Sequence, residues 1–228
     1  MRMVKDEDEI RKIEKACEIT DKCFDYITSF IKIGMTERQI ALEIQKYFLE
    51  NGAEGEAFET IVASGENSSK PHAVPSDKII REGDPITIDF GAKYKGYCAD
   101  MTRTIFAGYI NDQMKETYEL VLRNQVRATK EIKEGTSCKM IARSVENEFY
   151  LYNHSLIHAL GHGVGLSVHE LPILSHNSQL SLKENMVVTN EPGIYIPGKY
   201  GIRIEDTIRV GRNEPEVLTK STKDIVII

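Results

Sequence analysis

An α+β fold made of two similar halves, with helices laid over a mostly antiparallel sheet, is predicted by three observations in this 228-residue chain. Apolar residues recur at helical spacing in two pairs of segments. After each pair the pattern changes to short alternating runs broken by glycine and proline. Residues 31–48, "IKIGMTERQIALEIQKYF", also align with residues 132–149, "IKEGTSCKMIARSVENEF". Ile, Lys, Gly, Ile, Ala and Phe coincide there, and Ile44 falls on Val145. No Pro/Ser-rich linker separates the halves. One domain over residues 1–228 is therefore expected, with half-repeats of about 1–113 and 114–228.

The elements follow in order. Residues 6–31 place Ile10, Ile13, Cys17, Phe24 and Ile27 on one helical face, with acids at the N-terminal end where the helix dipole favours them. Gly34 marks a stop. Thr36 with Gln39 forms a capping-box pattern for a second helix, and Gly52 closes it. Strands and turns are expected from residue 57 to about 109. A helix is then expected from Met114 to Ile132, another over "TSCKMIARSVENEF", and strands beyond.

Composition narrows the function. The chain is 41% hydrophobic and 28% charged, an ordinary balance for a globular domain. A net charge of -6 gives no basic field for nucleic acid or anionic lipid. No apolar run is long enough to span a bilayer, and the charged start is unlike a secretion signal. The four cysteines lack metal or disulfide spacing, so a reducing, cytoplasmic setting is expected.

The stretch "ITIDFGAKYKGYCADMTRT", residues 86–104, holds Asp89 and Asp100 in otherwise apolar runs around a glycine-bearing turn. A loop at Tyr94-Lys95, or from Lys93 to Gly96, sets the two carboxylates directly opposite each other. Like charges so placed repel, unless they are solvated, share a proton or are bridged by a cation. "HALGHGVGLSVHELP" adds His158, His162 and His169, half of the chain's six histidines. The glycines around them suggest backbone brought close to a ligand. "TNEPGIYIPGKYGIRIEDTIRV" repeats the carboxylate pattern with Glu191 and Glu205 flanking a Pro/Gly-rich turn. Its "IRIEDTIRV" alternates, so Glu205 alone reads as a solvated edge position. Taken together, Asp89, Asp100, His162, Glu191 and Glu205 suit two divalent cations with oxygen-rich coordination, Mn²⁺, Co²⁺ or Fe²⁺ before zinc.

"IDFGAKYKGYCADMTRT", "GHGVGLSVHELP", "NEPGIYIP" and "GIRIEDT" closely resemble the pita-bread (M24-type) metallopeptidases, specifically the Xaa-Pro dipeptidase and aminopeptidase P branch. The resemblance runs from "KDEDEIRKIEKA" to "LTK". It implies a duplicated α+β fold with a curved antiparallel sheet, and two metal ions held by Asp89, Asp100, His162, Glu191 and Glu205. Those ions are expected to be Mn²⁺ or Co²⁺, with Fe²⁺ and Zn²⁺ as alternatives. The implied reaction is hydrolysis of the bond between an N-terminal residue and proline by a metal-bridging hydroxide. It implies Glu191 as proton shuttle, His72 of "KPHAVP" beside the substrate, and His169 at the scissile carbonyl. His158 and Arg203 match positions lining the site. The implied partners are a peptide with proline second and a second copy in a homodimer. Two rivals share the resemblance: methionine aminopeptidase, and a catalytically inactive pita-bread module that binds peptides or proteins. Three departures stand out: Asn190 where an apolar residue is usual, Ala159 where glycine is common, and a start so near the catalytic domain that the family's N-terminal domain is expected to be absent.

Overall fold

The computed structural model describes residues 2–228, and its fold is α+β. The first half runs α1 (Glu7–Phe30), α2 (Glu37–Glu50), β1 (Gly55–Glu56), β2 (Ile61–Ser64), a 3₁₀ turn (Gly65–Ser69), β3 (Pro85–Phe90), β4 (Ala92–Tyr94), β5 (Tyr97–Cys98) and β6 (Met101–Phe106). The second runs α3 (Asp112–Glu131), α4 (Cys138–Leu151), β7 (Gly161–Gly163), β8 (Glu170–Leu174), β9 (Val187–Asn190), β10 (Gly193–Ile196), β11 (Tyr200–Arg203), β12 (Asp206–Arg209) and β13 (Glu216–Val217).

Local sequence sets the helix boundaries. Asp6 caps α1 with Glu9 returning the bond, and Thr36 caps α2 with Gln39 doing the same. Asn111 caps α3 through Met114 N. The first helix ends at a C-cap on Ile31, three residues before the expected Gly34.

Duplication is visible in the packing. Ile40, Ile44 and Phe48 of α2 share a core cluster with Ile88 and Phe90 of β3. Ile141, Val145 and Phe149 of α4 share another with Val188 of β9 and Ile208 of β12. The helix residues of the two clusters are those matched at the offset of 101 in sequence. Each such side chain, taken fully out of water, stabilises the fold by about 1.5–3 kcal/mol. Strand order is β2-β3-β6 in the first half's main sheet and β13-β12-β9-β7-β8 in the second's, with a β1-β4-β5 sheet and a β10-β11 pair beside them, and every named strand pair is antiparallel. Each half interrupts its sheet with a hairpin, β4–β5 or β10–β11, and the carboxylates sit at the hairpins' bases.

The register of the first hairpin differs from expectation. Lys93 pairs with Cys98 and Tyr94 with Tyr97, so the two-residue loop is Lys95-Gly96. Both have positive φ, 46° and 82°, and glycine accepts this without strain. Asp89 is therefore opposite Thr102 rather than Asp100. The pairing moved by two positions in sum, and the side-chain period is two, so both aspartates stay on one face as diagonal neighbours. Among the described residues, no helix is long and apolar enough to cross a membrane.

Candidate metal centre

Asp100 and Glu205 occupy equivalent places, each one residue before the last long strand of its half's hairpin motif. Both are buried, at 4% and 2% exposure, which overturns the solvated-edge reading of Glu205. Asp100 reaches the interior because Gly91 lies across from it. A Cβ on Gly91 would come within 1.9 Å of the Ala99 carbonyl oxygen. His162, on β7, is flanked by glycines for a similar reason. Cβ atoms at Gly161 and Gly163 would sit 2.0 Å from Thr189 O and 2.3 Å from Leu171 O. These glycines bring backbone close to the neighbouring strands β9 and β8.

All nine residues singled out in the sequence, Asp89, Asp100, His72, His158, His162, His169, Glu191, Arg203 and Glu205, line one cavity of about 370 Å³. Asp100, His162 and Glu205 offer ligand atoms within 4.8 Å of one another. Nε2 of His162 lies 3.3 Å from Glu191 Oε1 and 3.5 Å from Asp100 Oδ2. The His162 and His169 rings meet edge to face with centroids 4.3 Å apart. Asp89 is held differently: its Oδ2 accepts from Arg203 Nη2 at 2.6 Å, while its buried Oδ1 has no partner.

The charges are poorly compensated. Burial pushes Asp100 and Glu205 well above the usual carboxylate range, and neighbouring carboxylates push further. Burial raises Glu191 to about 8, with Arg203 opposing and Asp89 adding. Burial likewise lowers His158 and His162 to about 4, with Arg203 and His169 as the next causes. Neutral imidazole and an orphaned carboxylate oxygen among crowded acids are what divalent cations complete. The donor set, oxygen-rich with one imidazole, fits such ions.

Three contributors escaped the sequence reading. The Thr102 hydroxyl donates to Glu205 Oε2 at 2.6 Å and accepts from Arg203 Nε at 3.0 Å. Thr189 donates to Glu191 Oε1 and accepts from the His162 backbone N–H. Tyr195 OH accepts from Arg203 Nη1 at 2.7 Å and lies 2.9 Å from His158 Nε2. Thr102 stands two residues after Asp100 on the same strand face, which was readable in principle. Asn190 turns away from the cavity and donates to Gln125 O and Thr129 Oγ1 on α3, so its departure from the family pattern leaves Glu191 untouched. Ala159 lines the cavity.

The sequence pattern of metallopeptidase family M24 matches residues 11–212, and the chain belongs to that family. A Xaa-Pro dipeptidase from Pyrococcus horikoshii is 47% identical over 99% of this chain and 65% of its own length. The solved X-Pro aminopeptidase from Thermotoga maritima superposes with a TM-score of 0.97 at 44% identity, over 100% of this chain and 65% of that one. Prolidase from Pyrococcus furiosus gives 0.95 at 45% identity, over 97% and 66%. The chain thus spans about two thirds of the length of these relatives. The pita-bread α+β fold expected from the motifs is the fold observed.

Proposed function

We propose that this chain is the catalytic part of a metal-dependent peptidase that hydrolyses the bond between an N-terminal residue and proline. The observation that carries the reading is the convergence of Asp100, His162 and Glu205 with the half-unpartnered Asp89 in one cavity. Relatives similar along nearly the whole chain carry Xaa-Pro peptidase names. Asp89, Asp100, His162, Glu191 and Glu205 would hold two divalent ions, Mn²⁺ or Co²⁺ by donor chemistry. Bound there, the ions would supply Lewis acidity toward the scissile carbonyl and a lowered pKa for the attacking water.

The remaining steps belong to side chains. Glu191 takes a proton on its carboxylate and passes it to the departing nitrogen. Its Oε1 is held by Thr189, which leaves Oε2 to carry that proton. His169, against His162 on the cavity wall, donates to the carbonyl oxygen as charge develops. Phe58, Ile61 and Ile173 give the cavity an apolar side. Such a wall accepts a pyrrolidine ring, whose tertiary nitrogen offers no N–H to grip. His72, at the cavity mouth, faces the substrate.

The test reads metal content and hydrolysis of Xaa-Pro and Met-Ala peptides on one sample loaded with Mn²⁺ or Co²⁺. Metal-dependent Xaa-Pro cleavage is expected. Equal cleavage after chelation rejects the metal mechanism. Cleavage of Met-Ala alone places the chain with the methionine aminopeptidases, and full metal occupancy without cleavage favours a binding module.

A further inference from the structure

The Glu37 carboxylate has no role in the centre described above, yet it is fully buried at the first position of α2. Its Oε1 accepts from Ser64 N at 2.7 Å, Ser64 Oγ at 2.8 Å and Asn67 Nδ2 at 3.2 Å. Its Oε2 accepts from Ser76 N at 3.1 Å, Ser76 Oγ at 2.6 Å and the same Asn67 amide at 3.2 Å. One carboxylate thus ties together both ends of the segment from residue 64 to residue 76. That segment carries Pro71 and His72 to the cavity mouth. Its far side is fastened to β11: Ser68 Oγ accepts from Gly201 N at 2.8 Å, and Pro71 O accepts from Arg203 Nη1 at 3.2 Å.

The duplicated half supplies an internal comparison. Position 138 corresponds to 37 at the offset of 101, and it holds a buried cysteine. The backbone there is built alike. Glu37 N donates to Lys78 O at 3.1 Å and Cys138 N donates to Leu180 O at 3.0 Å. Thr36 bridges Ile79 as Ser137 bridges Ser181. Starting this helix therefore does not require a carboxylate. The second half also brings loop histidines, His158 and His169, to the cavity, but it does so without a buried acid at position 138.

We propose that Glu37 is a positioning residue for substrate: it fixes the 64–76 segment and thereby places His72 over the cavity. The proposal rests on the Xaa-Pro peptidase reading for its consequence in turnover, but not for the fastening itself. Six hydrogen bonds accepted by one buried carboxylate define the geometry at both ends of the loop. Glutamine cannot replace them, because its amide nitrogen must face either the Ser64 or the Ser76 N–H, donor against donor.

Two readouts test this on the metal-loaded protein with E37Q, and with the milder S76A in case E37Q folds poorly. In amide hydrogen exchange, protection of residues 65–76 is expected to fall while the middle of α2 stays protected. A C138A variant, altered at the mirror position, is expected to leave that segment unchanged. In turnover of an Xaa-Pro dipeptide, E37Q is expected to raise KM about tenfold, the scale of a lost hydrogen bond to a charged group, with a smaller change in kcat. The E37Q/H72A double variant is expected to be no worse than H72A, since both remove the same contact. Additive losses in that cycle, or unchanged protection of 65–76 in E37Q and S76A, overturn the proposal. Should the wild-type protein cleave no Xaa-Pro peptide, the function reading fails, and the exchange result alone decides the fastening.

Discussion

Arg203 and Asp89 form a largely buried pair, with Nη2 donating to Oδ2 at 2.6 Å, and that pair divides the Asp89 carboxylate into two unlike halves. One oxygen is neutralised by the guanidinium. The other, Oδ1, is buried without a partner, and the proposed metal centre would engage it. Arg203 donates four of its five N–H groups, to Thr102, Tyr195, Pro71 and Asp89. Its positive charge is the permanent one nearest the carboxylates, and it opposes their upward shifts.

Replacing Arg203→Ala should therefore destabilise the metal-free protein by about 3–5 kcal/mol, the range for a buried charge stripped of its partner. With Mn²⁺ bound, the loss should shrink, because the ion takes over the neutralising role. Urea unfolding of wild type and variant, with and without Mn²⁺, measures the difference. An equal loss in both conditions would reject the idea that Arg203 and the metal share this task.

Stability against pH carries a second signature. Asp100, Glu205 and Glu191 hold protons in the folded protein above the pH where an unfolded chain has released them, near 4. The folded state then binds more protons, so stability falls as pH rises through that window. His158 and His162 act oppositely. Their folded values near 4 lie below the unfolded value of about 6.5, so their contribution rises with pH and is complete by then. Above pH 6.5 only the carboxylates remain, and the metal-free protein should lose stability up to about pH 8, where Glu191 titrates. The Mn²⁺-loaded protein should be flatter, and metal uptake at pH 7 should release protons, readable by calorimetry in buffers of different ionisation heat.

Glu205→Gln gives a prediction with opposite signs in two states. Removing one of four crowded carboxylates relieves repulsion, so the metal-free variant should be more stable than wild type by about 1–2 kcal/mol. Metal affinity should fall and hydrolysis should be lost. Paired melting curves and a metal titration decide it; a variant less stable in both states would show that Glu205 serves packing instead.

How far the sequence reached depends on the range of the contacts involved. The capping box at Thr36 and the buried faces of α2 and α4 are local, and they fold as their spacing says. Asp89, Asp100, Glu191, Glu205 and the three histidines of residues 158–169 are conspicuous in apolar or glycine-rich runs, whereas His72 and Arg203 are marked only by the resemblance to the metallopeptidases. The midpoint of the two aspartates misplaces the hairpin register, because the turn chemistry sets it. Gly96 at the second loop position was the better guide. Tyr195, Thr102 and Glu37 work through partners that the fold alone brings near, such as Arg203 with Thr102 and Glu37 with Ser76. Nothing about a tyrosine or a first-turn glutamate announces such a role, and Thr102 is marked only by standing two residues after Asp100 on its strand face.

Tyr195 allows one more test, because its hydroxyl has a single proton and two neighbours. Arg203 Nη1 can only donate, so the oxygen accepts there and the hydroxyl proton goes to His158 Nε2. His158 then carries its own proton on Nδ1, which donates to Ala159 O at 2.8 Å. This chain keeps His158 neutral and turned in a fixed tautomer, in line with its value near 4. Tyr195→Phe removes the donor to Nε2 and one acceptor of Arg203 while keeping the ring contact with His158. The variant should lose about 1–3 kcal/mol of stability, the cost of buried groups left unpaired. The His158 imidazole should titrate higher than in wild type, since its lone pair is no longer engaged. Ring ¹⁵N shifts of His158 followed across pH 4–7 report both tautomer and titration, and an unchanged Nδ1-protonated ring with an unchanged titration point would remove Tyr195 from this role.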